Sequence, residues 1–495
     1  MNPRRGMLAP WLEDGGPIHV VGASGAEGVA LLRFLVGDLG IEGVVAHDFS
    51  DDDRAFAASF RRANTAWERR EREQILKDLR RLPVEWRLGP EYVSGLQDAA
   101  LIFASQNWFN YPANLPALPE AMEAGVPLRG VVDLAMDLFR GTRVGVTGSN
   151  GKSTTSGLLA ALLRGAWSGG RLLHGGNDRD AQASLSDVEA ASPTDVLVWE
   201  VSNRHLRDRQ VPVDVGVLTN ITRNHIEDHG SWEAYVEAKS RLVVGARHAV
   251  ITGDDPVSMS LLPAIRAAGT TPWITSTVGV PPEAPGEGAV WLEGDLVMAR
   301  TPVGEPEEIG DASTLRLPGL HNRRNLLSAV AGALAAGAAP ATFAQSWADF
   351  APLIGRLEQV AEQDGVRWIY DIQATTAPAS EAGVRAVGAQ QPVVLLVGGE
   401  DKGMDYTGMA DATAAVGRAV IALPGSGTEA FLQALDGRVP VVRVDDLDAA
   451  LPAAREQAQP GDAVLLSPGC AFFHSTFITG GASFARRVRS LLDDA

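Results

Sequence analysis

Apolar and polar positions follow a recurring order along this chain. A short apolar run comes first, then a glycine- or asparagine-containing turn, then a stretch with apolar residues three and four apart. Runs of this length read as buried strands and the stretches after them as helices. Residues 17–28 (Ile-His-Val-Val, then Gly-Ala-Ser-Gly) predict a strand and a glycine turn, with a helix over 29–39 and a strand over 43–46 that ends at Asp48. Residues 51–82, with the run Trp67-Glu-Arg-Arg-Glu-Arg-Glu-Gln, carry charges at helical spacing and predict a solvated helix in an exposed surface insertion. A strand at 99–104, a polar aromatic loop at 105–115, a helix at 118–124 and a short strand at 127–131 complete the first unit.

The same order continues. Strands are expected at 144–146, 195–199, 213–218 and 248–252, a flap or hairpin at 279–300 and an Ala/Leu-rich helix at 322–337. A third series has strands at 368–370, 393–397, 419–422, 439–442 and 463–466. Strands alternating with helices mean parallel sheets covered on both faces, with active groups at the carboxyl ends of the strands. The expected class is α/β in three domains: a Rossmann-like N-terminal domain (1–133), a central P-loop ATPase-type parallel-sheet domain (134–352) and a C-terminal Rossmann-like domain (353–495). No repeats or heptads interrupt this order.

Composition narrows the partners. The 495 residues carry a net charge of −18, which argues against nucleic acid and anionic membranes as partners. Cys470 is the one cysteine, so no intrachain disulfide can form, and a reducing compartment fits. Residues 1–11 contain Arg4 and Arg5 but no apolar core of signal-peptide length, and no run approaches a membrane span. A cytoplasmic location and a monomer are expected.

The most informative stretch runs from Val144 to Thr155. An apolar strand leads into Gly148, Ser149, Asn150 and Gly151, and Lys152, Ser153 and Thr154 open an apolar helix. These are the parts of a triphosphate cradle: loop N–H groups, a helix N-terminus and a lysine, with the Ser153 hydroxyl available to magnesium. Glu200 follows the next predicted strand, where nucleotide-binding folds place a magnesium carboxylate; an exposed loop glutamate is the plainer reading. His225, in Asn-His-Ile-Glu-Asp-His, reads equally as a metal ligand or as part of a polar loop, and Lys239 by itself looks like a surface lysine. Gly22, Gly25 and Gly28 are three apart and do not form the G-x-G-x-x-G of a dinucleotide site; a phosphate or nucleotide-sugar pocket and a structural turn both fit.

Together these residues resemble the Mur ligase family, the ATP-dependent amide ligases of cell-wall precursor synthesis. Thr147-Gly-Ser-Asn-Gly-Lys-Ser-Thr is similar to that family's P-loop. Asn224-His225 followed by Tyr235-x-x-Ala-Lys239, then His321-Asn322, then Gly355-Arg356-Leu-Glu358 resemble its further signatures, in order. Gly176-Asn177, Glu200-Val-Ser-Asn, Asp371-Ile-Gln-Ala-Thr375, Gly398-Gly-Glu-Asp-Lys402 and Leu466-Ser-Pro-Gly-Cys-Ala471 resemble the members that add glutamate to UDP-N-acetylmuramoyl-L-alanine. The resemblance covers the last two domains well and the first loosely.

The resemblance implies transfer of the ATP γ-phosphoryl group to a carboxylate, then attack by the amine of glutamate, D-glutamate first and L-glutamate as the alternative. It implies ATP contacts from Gly148, Asn150, Gly151, Lys152, Ser153, Thr154, Asn322, Arg356 and Asp371. Two magnesium ions would be served by Ser153, Glu200, His225 and a carbamylated Lys239, with Lys152, His225 and Lys239 catalytic. Gly22, Ser24, Asn177, Ser202, Thr375, Lys402 and Phe477 would contact the substrates. Two departures touch the substrates: Gln373 stands where the pattern has a lysine charge toward the muramoyl substrate, and Phe472 where it has a serine that helps hold the glutamate side chain. Competing readings are a Mur-like or folylpolyglutamate-type ligase for another carboxylate, a nucleotide-binding relative without catalysis, and an NAD-dependent dehydrogenase.

Overall fold

The computed structural model describes residues 16–64, 67, 69–105, 116–176, 183–207, 209–223, 229–282, 284–471 and 481–493. Three sheets follow one another along the chain. The first is β1 (Ile18–Val21), β2 (Val44–Asp48), β3 (Glu85–Leu88), β4 (Leu101–Ala104) and β5 (Leu128–Arg129). They lie in the order β3-β2-β1-β4-β5, all parallel. The order reverses between β1 and β4, which is where an open α/β sheet offers a crevice.

The second sheet has nine strands: β6 (Thr142–Thr147), β7 (Leu172–Gly175), β8 (Val196–Glu200), β9 (Val215–Leu218), β10 (His248–Thr252), β11 (Thr271–Ser276), β12 (Gly288–Glu293), β13 (Leu296–Arg300) and β14 (Glu307–Asp311). β7-β8-β6-β9-β10-β11-β12 are parallel, and β13 and β14 extend the sheet antiparallel. The expected hairpin at 279–300 is thus the β12–β13 pair. Register decides what meets at the carboxyl edge: Val146 of β6 lies opposite Glu200 of β8 and Val217 of β9. The β6 loop, Glu200 and the segment after β9 therefore emerge side by side. The apolar helices Lys152–Ala166 and Leu320–Ala335 pack on this sheet around Val144, Val146, Leu159, Leu326 and Val330.

The third sheet is β15 (Glu358–Gln363), β16 (Val366–Tyr370), β17 (Val393–Val397), β18 (Gly417–Ala422), β19 (Val441–Arg443) and β20 (Ala463–Leu466), in the order β15-β16-β20-β17-β18-β19. Only the β15–β16 pair is antiparallel. Among the described residues no helix is long and apolar enough to cross a membrane.

The charged stretch after β2 is not an exposed insertion. It forms two helices, Asp53–Ala63 and Arg69–Leu79, that bury Phe56, Phe60, Ile75, Leu76 and Leu79 in the N-terminal core. Their arginines and glutamates dominate the composition, but the sparse apolar residues share one helical face, and burial follows the face. The helix expected at 29–39 begins earlier, at Ala26, and passes after Leu32 into a wider π turn over Arg33–Asp38. β3 and β15 are edge strands rich in Glu, Arg and Gln, without an apolar run to announce them.

Candidate active site

The loop after β6 is built from backbone positions that demand glycine. Gly148 has φ +147° and a side chain there would meet the Thr219 hydroxyl at 1.9 Å. Gly151 has φ +83° and caps the helix Lys152–Ala166, with the Asn325 carboxamide 2.3 Å from where its Cβ would stand. The segment after β9 holds the loop from the side. Ser149 N donates to Asn220 O (2.9 Å), Asn150 N to Asn220 Oδ1 (3.0 Å), and Thr219 Oγ1 to Asn150 O (2.6 Å). The Ser149 hydroxyl donates to Thr222 O (2.9 Å) and lies 2.8 Å from the Tyr235 hydroxyl.

Three cationic side chains converge on this loop. Lys152 Nζ donates to Gly148 O (3.0 Å) and Ser149 O (3.2 Å). Lys239, one helical turn past Tyr235, is completely buried, and its Nζ donates to the same Gly148 O at 2.8 Å. Burial first, then the neighbouring Lys152 charge, hold the Lys239 amine well below the ordinary lysine range; Lys152 is lowered as well, chiefly by burial. Lys239 is therefore no surface lysine. Its helix, Trp232–Ser240, alternates apolar and polar residues weakly, so the side that faces the loop is not visible in the sequence. The third cation is Arg356. Its Nη2 donates at 2.9 Å to Ser153 Oγ, and Ser153 Oγ donates at 2.7 Å to Glu200 Oε2. Glu200 is buried, so it is not an exposed loop glutamate.

A crevice of about 480 Å³ opens above this loop between the second and third sheets, with Lys239 behind the loop and not among its lining residues. Asn150, Gly151, Lys152, Ser153, Thr154, Glu200, Asn322, Arg356, Asp371 and Thr375 all face it, and Gln373 does too. Asp371 follows β16, is buried, and accepts Leu357 N (3.1 Å) and Ser467 Oγ (2.9 Å); burial pushes its carboxyl up to about 7. It thus braces the turn that carries Arg356. Lys402 Nζ reaches Thr375 O at 3.3 Å. Asn322 donates to Pro318 O (2.8 Å) and accepts from Asn325 (3.2 Å).

Other expected residues lie elsewhere. Ser202 is not on the crevice; its N–H donates to His205 Nδ1 at 3.3 Å. Gly22 and Ser24 sit at the carboxyl end of β1 in the first sheet, where Asp48 Oδ2 accepts Ser24 N (2.8 Å) and Ser24 Oγ donates to Ser59 Oγ (3.0 Å). His225, Asn177, Phe472 and Phe477 lie outside the described residues. Sequence reasoning assigned no role to Asn220, Asn325 or the Arg324–Asp254 pair (2.9 Å), all on the crevice. The Thr219-Asn220 step directly after β9 was the one available signal.

The donor set suits magnesium. Ser153 and Glu200 offer hard oxygen atoms at one point of the phosphate loop. Among the described residues no group of three or more His, Cys, Asp or Glu could hold a metal ion.

Comparison with known proteins gives this geometry its family. Residues 146–333 match the Mur ligase middle domain and residues 355–470 the Mur ligase, glutamate ligase domain. A UDP-N-acetylmuramoylalanine--D-glutamate ligase from Symbiobacterium thermophilum is 32% identical over 421 residues, which is 84% of this chain and 89% of that protein. The chain belongs to the Mur ligase family. It is an amide-bond-forming ligase of peptidoglycan synthesis. The same-named protein of Geobacillus kaustophilus is 33% identical over 388 residues, 77% of this chain and 82% of that one. Among solved structures, the UDP-N-acetylmuramate-alanine ligase of Thermotoga maritima shares the fold with a TM-score of 0.56 at 15% identity, covering 97% of this chain and 99% of that one. A pseudomurein peptide ligase type C from Methanothermus fervidus gives a TM-score of 0.55 at 16% identity, with the same coverage.

Proposed function

We propose that this Mur ligase joins glutamate, in its D form, to UDP-N-acetylmuramoyl-L-alanine, using ATP and an acyl-phosphate intermediate. The observation that carries this reading is the Ser153–Glu200–Arg356 contact at the mouth of the phosphate loop, with Lys239 directly beneath it. The family membership and the D-glutamate ligase names of its relatives support the choice of substrates.

The residues divide the work by their chemistry. The helix N-terminus and Lys152 bind the β- and γ-phosphates; Lys152 already rests on loop carbonyls and needs only a side-chain rotation to reach them. Arg356 enters from the C-terminal domain and neutralises charge that builds on the transferring phosphoryl group. Ser153 and Glu200 would hold magnesium, which when bound draws charge from the phosphate oxygens. The depressed basicity of Lys239 favours its neutral amine, the form that takes up carbon dioxide, so carbamylation would turn it into an anionic metal ligand. Lys402 and Thr375 receive the amino acid, the first sheet receives the UDP-sugar, and Asn322 lies on the nucleotide side of the crevice. Gln373 faces the crevice where the family pattern has a lysine, so one charge toward the muramoyl substrate is missing; L-glutamate is the second reading.

Phosphate release tests both. Release is expected only when ATP, magnesium, UDP-N-acetylmuramoyl-L-alanine and glutamate are present together. A panel of D- and L-amino acids decides between the two forms, and no release with any of them removes the cell-wall substrate.

A further inference from the structure

A set of contacts outside the crevice joins the N-terminal unit to the two carriers of the proposed metal site. The chain leaves the first sheet through the helix Val131–Leu138. Asp133, in its first turn, accepts Gly130 N at 2.6 Å and so sets the start of that helix. The same Oδ2 accepts Arg209 Nη1 at 2.6 Å. This pair is mostly withdrawn from water, with side chains 13% and 21% exposed. Arg209 lies in the segment that leaves β8 beyond Glu200.

That segment is held from its other side by Arg241. Its Nη1 donates to Leu206 O at 2.8 Å and also to Arg207 O, while Nη2 donates to Glu237 Oε1 at 2.7 Å. Arg241 is the C-cap of the helix that carries Lys239. One guanidinium therefore ties two backbone carbonyls of the Glu200 segment to the Lys239 helix. A guanidinium does this well because its donors are coplanar and fixed relative to one another. An exposed ion pair would add little, but a withdrawn one leaves a costly lone charge when either partner is removed.

We propose that Asp133, Arg209 and Arg241 are positioning residues that clamp the Glu200 segment and the Lys239 helix to the exit helix of the N-terminal domain. The exit helix, the Glu200 segment and the Lys239 helix are then held as one unit, so a change at Asp133 is felt at both carriers of the site. The roles of Glu200 and Lys239 in this statement rest on the function proposed above.

The test uses the full chain. Asp133→Asn keeps an oxygen for Gly130 N and removes only the charge that faces Arg209. Asp133→Asn, Arg209→Gln and Arg241→Gln are each expected to speed amide hydrogen exchange in segments 201–207 and 232–244, across the domain boundary from Asp133. They should lower kcat for phosphate release about tenfold while leaving KM for the UDP-sugar within about twofold, the scale of one coupled contact. Because Asp133 and Arg209 act as a pair, the Asp133→Asn/Arg209→Gln double variant should be no worse than either single one. Exchange changes confined to the helix 131–138, additive losses in the double variant, or an effect on KM alone would overturn the clamp. The exchange measurement needs no substrate. If no amino acid supports phosphate release, the proposed function fails while exchange still decides the clamp.

Discussion

Lys239→Met separates the stability of the site from its chemistry. Methionine keeps the unbranched stem that fills the buried position and removes only the amine. Three terms then change. The Nζ bond to Gly148 O at 2.8 Å is lost, a contribution of about 0.5–1.5 kcal/mol. That carbonyl is not orphaned, because Lys152 Nζ remains on it at 3.0 Å. The amine over the Tyr235 ring, 4.8 Å from its centroid, is lost as well, but without its proton it contributes little there. Against these, the variant no longer buries an amine that its surroundings strip of its proton and that crowds Lys152. The sum lies within about 1 kcal/mol of zero, so Tm should move by no more than about 2–4 °C. Activity should instead fall by about 100-fold or more, as when a transition-state stabiliser is removed. Lys239→Ala, by contrast, empties a filled core position and should be clearly less stable. The pH dependence adds a second readout. In the unfolded chain Lys239 holds its proton to about pH 10.4, whereas the folded chain releases it at lower pH. The unfolded state thus binds more protons in that window, and wild-type stability rises with pH across it. Lys152 is shifted the same way, so Lys239→Met should make this rise shallower without abolishing it. Thermal and denaturant unfolding across the mildly alkaline range, with phosphate release on the same samples, reads all of this. A Met variant that unfolds many degrees earlier, or one with wild-type turnover, would refute the reasoning.

Two further outcomes are expected. Gly151→Ala forces a left-handed residue to carry a side chain and drives it into Asn325, whose bonds to Thr155 (3.3 Å) and Asn322 (3.2 Å) must break. The combined loss is roughly 2–4 kcal/mol, so the melting temperature should drop and a nucleotide titration should show at least about tenfold weaker binding; wild-type affinity would mean that the loop is not the nucleotide cradle. Asp371 keeps its proton in the folded chain up to about pH 7, chiefly because it is buried. Between about pH 4 and 7 the folded state therefore holds more protons than the unfolded one, and stability should fall as pH rises, by at most about 1.4 kcal/mol per unit. Denaturant titrations of Asp371→Asn should lack that decline, and an unchanged slope would show that Asp371 is solvated.

The strand–loop–helix at Val144–Thr155 was legible in the sequence because it is local: glycine at fixed offsets and a lysine at a helix start need no distant partner to be recognised. The same holds for the alternation of apolar runs and helices, which is why the α/β class and the parallel sheets could be read without coordinates. What the tertiary structure decided is mostly a matter of register and burial. Lys239 reads as a surface residue, yet it is buried under Gly148, because the helix Trp232–Ser240 docks with Tyr235 and Lys239 facing the loop. The amphipathic stretch at 51–82 reads as solvated, because charge outnumbers the few apolar positions that face the core. Arg356 meets Ser153 only when two sheets far apart in sequence are brought together, and Asp133 meets Arg209 in the same way. Local pattern carries information over a few turns of chain. A site assembled from the edges of separate sheets depends on strand order and register, and those are set by packing across the whole fold.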